Sequence, residues 1–296
     1  MASKEHIPVL ASELIALLQL EPTHTVVDLT LGRSGHASLV MTKLNSDGCF
    51  VGIDADPGQI AYAESVLPKN SKRHLVTSNF AQITETLRAL AIPCANSIYA
   101  DLGLSTIQLL DHDRGFSFQS EVALDMRLNV NTQKIDAQSI INQWDEVSLA
   151  NLFWEYGEER LSRPIAKAIV THRKVQPIKT GKQLAEIIAQ IKRGGGKKIH
   201  PATQVFQALR MYVNDELGTL RTMLQSILPL LCKNGRFVII TFHSIEDRLV
   251  KNVFKEWKQA NTVEILTKKA IKATWTEMKQ NPRARSARLR AIRKLT

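Results

Sequence analysis

Val26-Val27-Asp28-Leu29-Thr30-Leu31-Gly32-Arg33-Ser34-Gly35-His36 reads as a short apolar strand, a turn holding two glycines, and the start of a helix. Glycine lets a backbone approach a ligand where a side chain would block it. The start of a helix presents N–H groups that no carbonyl of the same helix takes. The strand ends in an acid, Asp28.

The same plan repeats downstream. Cys49 to Asp54 reads as a second strand, His74 to Thr77 as a third and Asn96 to Leu102 as a fourth. Helical patterns near 36–46, 57–67 and 81–91 fill the gaps. Strands alternating with helices predict a parallel sheet covered on both faces, hence an α/β fold. Such open sheets bind ligands beyond the carboxyl ends of their strands, where Asp28, Asp54 and Asp101 fall.

From 105 to 203 the alternation stops. Helix candidates are Glu146 to Tyr156, Arg160 to Arg173 and Thr180 to Lys192, with a flexible basic break at Gly194 to Lys198. Val205, Leu209, Val213, Leu217, Leu220 and Leu224 then mark one long amphipathic helix, and Arg236 to Phe242 a further strand. Val263 to Thr267 is a possible strand. The end of the chain alternates Ala287, Leu289 and Ala291 with Arg288 and Arg290, as an edge strand with a basic outer face would. The expected organisation is a sheet domain over 1–104 and 204–296, interrupted by an all-helical insertion over 105–203.

The formal net charge is +11. From Lys279 onward there are seven Lys or Arg and no Asp or Glu, so the rest of the chain carries only +4. That tail favours a polyanionic partner. Cys49, Cys94 and Cys232 form no closely spaced pair, and all three are expected as buried, reduced thiols. The histidines show no His-x-x-x-His spacing, so no metal is expected. Without a signal pattern or a membrane-length apolar run, the protein is expected to be soluble and cytoplasmic.

The chemistry is concentrated at the strand ends. Gly-x-Gly-x-x-Gly is absent, which argues against a dinucleotide and its pyrophosphate cradle. Asp54, 26 positions after Asp28, ends the second strand where nucleotide folds bind ribose hydroxyls. Asp56 before Pro57 reads as a helix N-cap. Phe80 suits either an adenine ring or the core. Asp101 would face the substrate side, with Gln108 shortly after it. Arg114 to Phe118 and Leu124 to Arg127 suit base stacking and phosphate contact, or equally packing of the insertion.

In this order the segments resemble the RsmH (MraW) family of bacterial ribosomal RNA methyltransferases. The resemblance runs from His6-Ile7-Pro8-Val9-Leu10 to Asn281-Pro282-Arg283-Ala284-Arg285-Ser286. Its distinctive stretches include Asp101 to Ser105, Arg114 to Phe118, Tyr156 to Arg160, Lys198 to Thr203, Phe206 to Arg210, Val213 to Glu216 and Phe242 to Arg248. It implies a class I (Rossmann-like) S-adenosylmethionine-dependent methyltransferase sheet with a helical insertion. It also implies methylation of the exocyclic N4 amine of a cytidine in the decoding region of 16S rRNA, in the small ribosomal subunit. By matching position, Ser34, Gly35, His36, Asp54, Phe80, Asp101 and Gln108 would bind S-adenosyl-L-methionine. Asp101 is the candidate catalytic residue, as acceptor of the amine's proton. Arg33 and Ser34 stand in a loop that is richer in glycine in the family, and Leu110 stands where an acid is usual. The rival readings are a noncatalytic RNA-binding ribosome-assembly factor and a DNA amine methyltransferase, which lacks its Pro-Pro motif here; a nicotinamide dehydrogenase is more distant. Either a monomer or a homodimer would serve.

Overall fold

The structure, a computed structural model, describes residues 7–69, 71–103, 114–130, 133–192 and 200–296. The chain divides into two compact units, one of Met1–Gly103 with Gly218–Thr296 and one of Leu104–Leu217.

The first unit holds β1 (Thr25–Asp28), β2 (Cys49–Asp54), β3 (Lys72–Thr77), β4 (Ala95–Asp101), β5 (Leu231–Thr241), β6 (Val263–Ile265) and β7 (Arg288–Lys294). They form one sheet in the order β3-β2-β1-β4-β5-β7-β6. The first five are parallel and β7 runs antiparallel to both its neighbours. This is the expected doubly wound, Rossmann-like α/β sheet. Strand order reverses between β1 and β4, the switch point at which such sheets bind ligands.

Successive strand residues serve opposite faces. Val26, Phe50, Tyr99 and Val238 pack on one side with α1 (Ala11–Leu18), α2 (Gly35–Met41) and α3 (Pro57–Val66). Val27, Val51, Ile98 and Ile239 pack on the other with α4 (Ile83–Ala89) and, after the insertion, later helices. Because both faces are covered, these strands read as nearly unbroken apolar runs.

The second unit is helical, with α5 (Ala137–Gln143), α6 (Glu146–Gly157), α7 (Ser162–Arg173), α8 (Gly181–Ile191) and α9 (Thr203–Val213). Asp136 and Asp145 cap α5 and α6, and Thr180 forms a capping box with Gln183 on α8. Its core includes Ile140, Phe153, Ile165, Ile188 and Leu209. A Cβ on Gly157 would lie 2.4 Å from the Gln204 carbonyl oxygen, so α6 and α9 meet backbone to backbone there. Thr203–Val213 therefore packs inside the inserted unit, whereas the sequence reading resumed the sheet domain at 204.

The long helix expected through Leu224 is two helices, α9 and α10 (Glu216–Leu230). Asp215 is left-handed at φ 45°. The Asn214 side chain donates to the Met126 and Arg210 carbonyls and accepts from the Leu128 amide and Gln133 Nε2. Three of those bonds reach back more than eighty residues, so heptad-like spacing alone carries no sign of the break. Among the described residues the remaining α-helices are α11 (Ser244–Gln259) and α12 (Trp275–Gln280).

Two further expectations need correcting. Cys94 and Cys232 are disulfide-bonded with Cα atoms 5.1 Å apart, and only Cys49 is a free thiol. They sit where β4 and β5 begin side by side, a pairing hidden by a sequence separation of 138. The basic tail strand β7 is also not an edge. It lies between β5 and β6, and its cations are engaged: Arg290 with Asp247 (2.6 and 3.1 Å), Arg293 with Glu264, and Lys294 with the Leu231 carbonyl. Among the described residues no helix is long and apolar enough to cross a membrane.

Candidate active site

At the carboxyl end of β1 the backbone continues its pairing beyond the strand. The Leu29 amide donates to the Tyr99 carbonyl and the Leu31 amide to the Ile53 carbonyl, each at 2.9 Å. The loop that follows is left-handed at Gly32 (φ 45°) and at Ser34 (φ 59°). Ser34 is buried, and its hydroxyl has no hydrogen-bond partner among the described residues. Gly35 is tight against the N-terminal segment, since a Cβ there would come within 3.2 Å of Pro8. The Arg33 guanidinium lies 3.5 Å over the ring of Tyr62 on α3, a contact the sequence reading missed.

Asp54 closes the loop from the neighbouring strand. Its Oδ2 accepts from the Gly32 amide at 2.8 Å and its Oδ1 from the Asp56 amide at 2.9 Å. Burial pushes its carboxyl above the usual range. Asp56 takes the capping role, accepting from the Gly58 amide ahead of a helix that starts at Pro57. Phe80 opens a short 3-10 turn beneath an Asn79 cap and packs, half-buried, against the sheet cluster.

The end of β4 meets the end of β1 in a buried polar chain. Tyr99 donates its hydroxyl to Asp28 Oδ2 at 2.8 Å, and the Thr30 amide donates to Asp28 Oδ1 at 3.0 Å. The Asp101 amide donates to Thr30 Oγ1 at 2.7 Å. Asp101 Oδ2 lies 3.6 Å from His36 Nδ1, while Oδ1 is buried with no hydrogen-bond partner among the described residues. His36 Nε2 is 2.8 Å from the Val9 carbonyl. Burial pushes both Asp28 and Asp101 up to about 7; Arg283 acts against the rise at Asp101. Burial lowers His36.

The structure thus brings together Ser34, Gly35, His36, Asp54 and Asp101 at adjoining ends of β2, β1 and β4. Phe80 follows β3, and Gln108 lies outside the described residues. Tyr99, Thr30 and Arg283 were not foreseen. Tyr99 was legible in principle, because it stands two residues before Asp101 on the same face of a strand. Arg283 lies in the basic tail, whose charge by itself points to a polyanionic partner and not to the strand ends.

Within the inserted unit the loops over 114–118 and 124–127 are engaged in packing. Phe116, Leu124 and Met126 are buried, Arg127 pairs with Asp125 through two nitrogens, and Phe118 stacks on His200 at 4.4 Å.

Comparison with known proteins adds the family. A protein named ribosomal RNA small subunit methyltransferase H from Sulfurihydrogenibium sp. (strain YO3AOP1) is 42% identical over 297 residues, covering 98% of this chain and 99% of the relative. One of the same name from Symbiobacterium thermophilum is 38% identical over 311 residues, covering 98% and 96%. The solved N-methyltransferase NodS from Bradyrhizobium japonicum WM9 superposes loosely, with a TM-score of 0.45 at 7% identity over 97% of this chain and 94% of that one. The match to the family itself spans residues 3–295, and the chain belongs to the MraW methylase family.

Proposed function

We propose that this protein transfers a methyl group from S-adenosyl-L-methionine to the exocyclic N4 amine of a cytidine in the decoding region of 16S rRNA, as part of the small ribosomal subunit. The observation that carries the reading is a pair of orphaned, buried oxygens, Ser34 Oγ and Asp101 Oδ1, at adjoining strand ends. Buried polar atoms are nearly always partnered, so two orphans at the adjoining ends of β1 and β4, the switch point, support the place of a polar ligand there.

Asp54 holds the ribose hydroxyls, and Phe80 packs beside the adenine. Ser34, Gly35, His36 and Gln108 contact the amino-acid end and its surroundings. The bound cofactor supplies an electrophilic methyl on a sulfonium. Asp101 accepts one N–H of the amine, which returns electron density to a nitrogen whose lone pair is drawn into the ring. It then takes the proton that the methylated amine sheds. Alignment of the amine supplies much of the remaining acceleration. The base reaches the site unstacked or from single-stranded RNA. The inserted helical unit holds the RNA, and the reaction is cytoplasmic.

The test is methyl transfer from radiolabelled S-adenosylmethionine to unmodified small subunits, naked 16S rRNA and duplex DNA. Label on N4 of a cytidine in the subunit or its RNA is expected. Label on DNA alone, or bound cofactor with no transfer, would replace this reading with one of its rivals.

A further inference from the structure

The His36–Asp101 contact contains a proton that hydrogen-bond geometry requires. A carbonyl oxygen only accepts, so the 2.8 Å contact with Val9 places a hydrogen on His36 Nε2. A neutral imidazole has one N–H, which leaves Nδ1 as a bare lone pair. That lone pair faces Asp101 Oδ2 at 3.6 Å, in a site where the histidine is 6% exposed. An ionised Asp101 would set its charge against the lone pair with little water to screen it. One additional proton, on either partner, turns the repulsion into attraction, and the pair titrates as a unit.

The surrounding charges divide. Asp28 on β1 acts on His36, and Glu246 on α11 makes a charge on Asp101 more costly. Arg283, on the 3-10 turn Pro282–Ser286, favours that charge, and Glu277 on α12 favours a proton on His36. The Tyr99 hydroxyl is committed to Asp28, whose two oxygens both have donors. Asp101 differs because its Oδ1 has none among the described residues.

We propose that Asp101 and His36 hold one shared proton in the cofactor-free protein and release it to solvent when the cationic cofactor docks against Asp101. The inference rests on the proposed function for the identity of that ligand. It explains how a buried carboxyl becomes an available base at the moment one is needed. The balance closes over a turnover. As the amine nitrogen gains the methyl carbon it loses one N–H bond, whose electron pair stays on nitrogen and whose proton passes to Asp101. The protein is then back in its starting protonation state. The proton released per turnover reaches solvent at cofactor docking, not at methyl transfer. In this proton exchange His36 acts through Asp101.

The experiment is calorimetric titration of the full chain with S-adenosylmethionine at pH 6.5, in buffers of widely different ionisation enthalpy. About half to one proton released per cofactor bound is expected. Asp101→Asn should bind with heat that no longer depends on buffer. Infrared difference spectra of the unaltered protein give a second readout, in which cofactor removes the C=O band of a protonated carboxyl. Asp28→Asn should leave that loss in place, because the Asp28 carboxyl does not take part. Tight binding with buffer-independent heat and no carboxyl change in the unaltered protein would overturn the shared proton while leaving the cofactor assignment standing. Failure of the unaltered protein to bind the cofactor at all would instead sink the proposed function, and this inference with it.

Discussion

The carboxylate of Asp54 reaches across from the end of β2 to accept the amide of Gly32 at 2.8 Å, tying the loop after β1 to the neighbouring strand end. With its other oxygen it accepts the Asp56 amide, so one side chain fixes two loops. Asp54→Ala leaves both amides without their acceptor. A loss of about 2 kcal/mol in stability is expected, from the usual cost of unmade buried hydrogen bonds. Cofactor affinity should fall at least tenfold in the same variant. Asp54→Asn, which retains one acceptor oxygen, should lie between. Chemical unfolding and ligand titration of the three proteins check this.

The buried acids make stability depend on pH. Asp28 and Asp101 titrate at about 7 in the fold, against 3.8 when unperturbed. The folded protein therefore binds more protons than the unfolded chain between those values. Their contribution is fully present below about pH 4 and is lost as pH rises through 7. Asp101→Asn removes one titrating group and should melt several degrees above the unaltered protein at pH 8, the shift expected of one or two kcal/mol. The two should converge only below about pH 4. Melting curves across that range decide it, and a variant that melts lower at pH 8 would refute it.

Not all basic residues of the tail are equivalent. Arg290 is locked to Asp247 through two nitrogens, whereas Arg285 is exposed and has no ion-pair partner among the described residues. Arg290→Ala should cost about 2 kcal/mol, since it strips the two short bonds from a largely buried carboxylate and leaves it only the 3.4 Å contact with Arg288. It should leave the salt dependence of RNA binding unchanged. Arg285→Ala should do the reverse, sparing stability and lowering the salt slope by about one. Unfolding and RNA titrations at several salt concentrations separate the two.

The cysteines give a direct count. With Cys94 bonded to Cys232, thiol titration of the denatured, unreduced protein should find one reactive group, Cys49. Three reactive thiols would mean that the bond does not form.

The legible parts of the fold were those that depend on near neighbours. Thr25, Cys49 and Asp54 fall on strand boundaries because burial of both sheet faces writes an apolar run that ends in an acid. The Asp56 cap was readable for the same reason, being confined to three residues. What escaped reading depends on contacts across the chain. Asn214 breaks a helix by bonding to Met126 and Leu128, Cys94 finds Cys232, and Arg283 comes to Asp101 from the far end of the sequence. The tail was read as an exposed edge because β6, the strand that covers it, is only three residues long and leaves a weak alternation. At the site the separate acids were visible, but not the order in which they are joined: Tyr99 to Asp28, Thr30 to Asp101, Asp101 beside His36.

The excursion that leaves the sheet after β4 and returns only at Gly218 also sets a timetable for synthesis. A nascent chain emerges from its N-terminus, so β1 to β4 are made well before β5, which begins at Leu231. Until then β4 presents an unpaired edge, and its apolar residues Ile98, Tyr99 and Ala100 lack the neighbour that will flank them. An open parallel edge is a template for pairing with the wrong chain. The inserted helices, with a core of their own, can fold during that delay. Truncated chains that stop before Leu231 should therefore be the ones that aggregate or recruit chaperones, and chains extended through β7 the ones that escape.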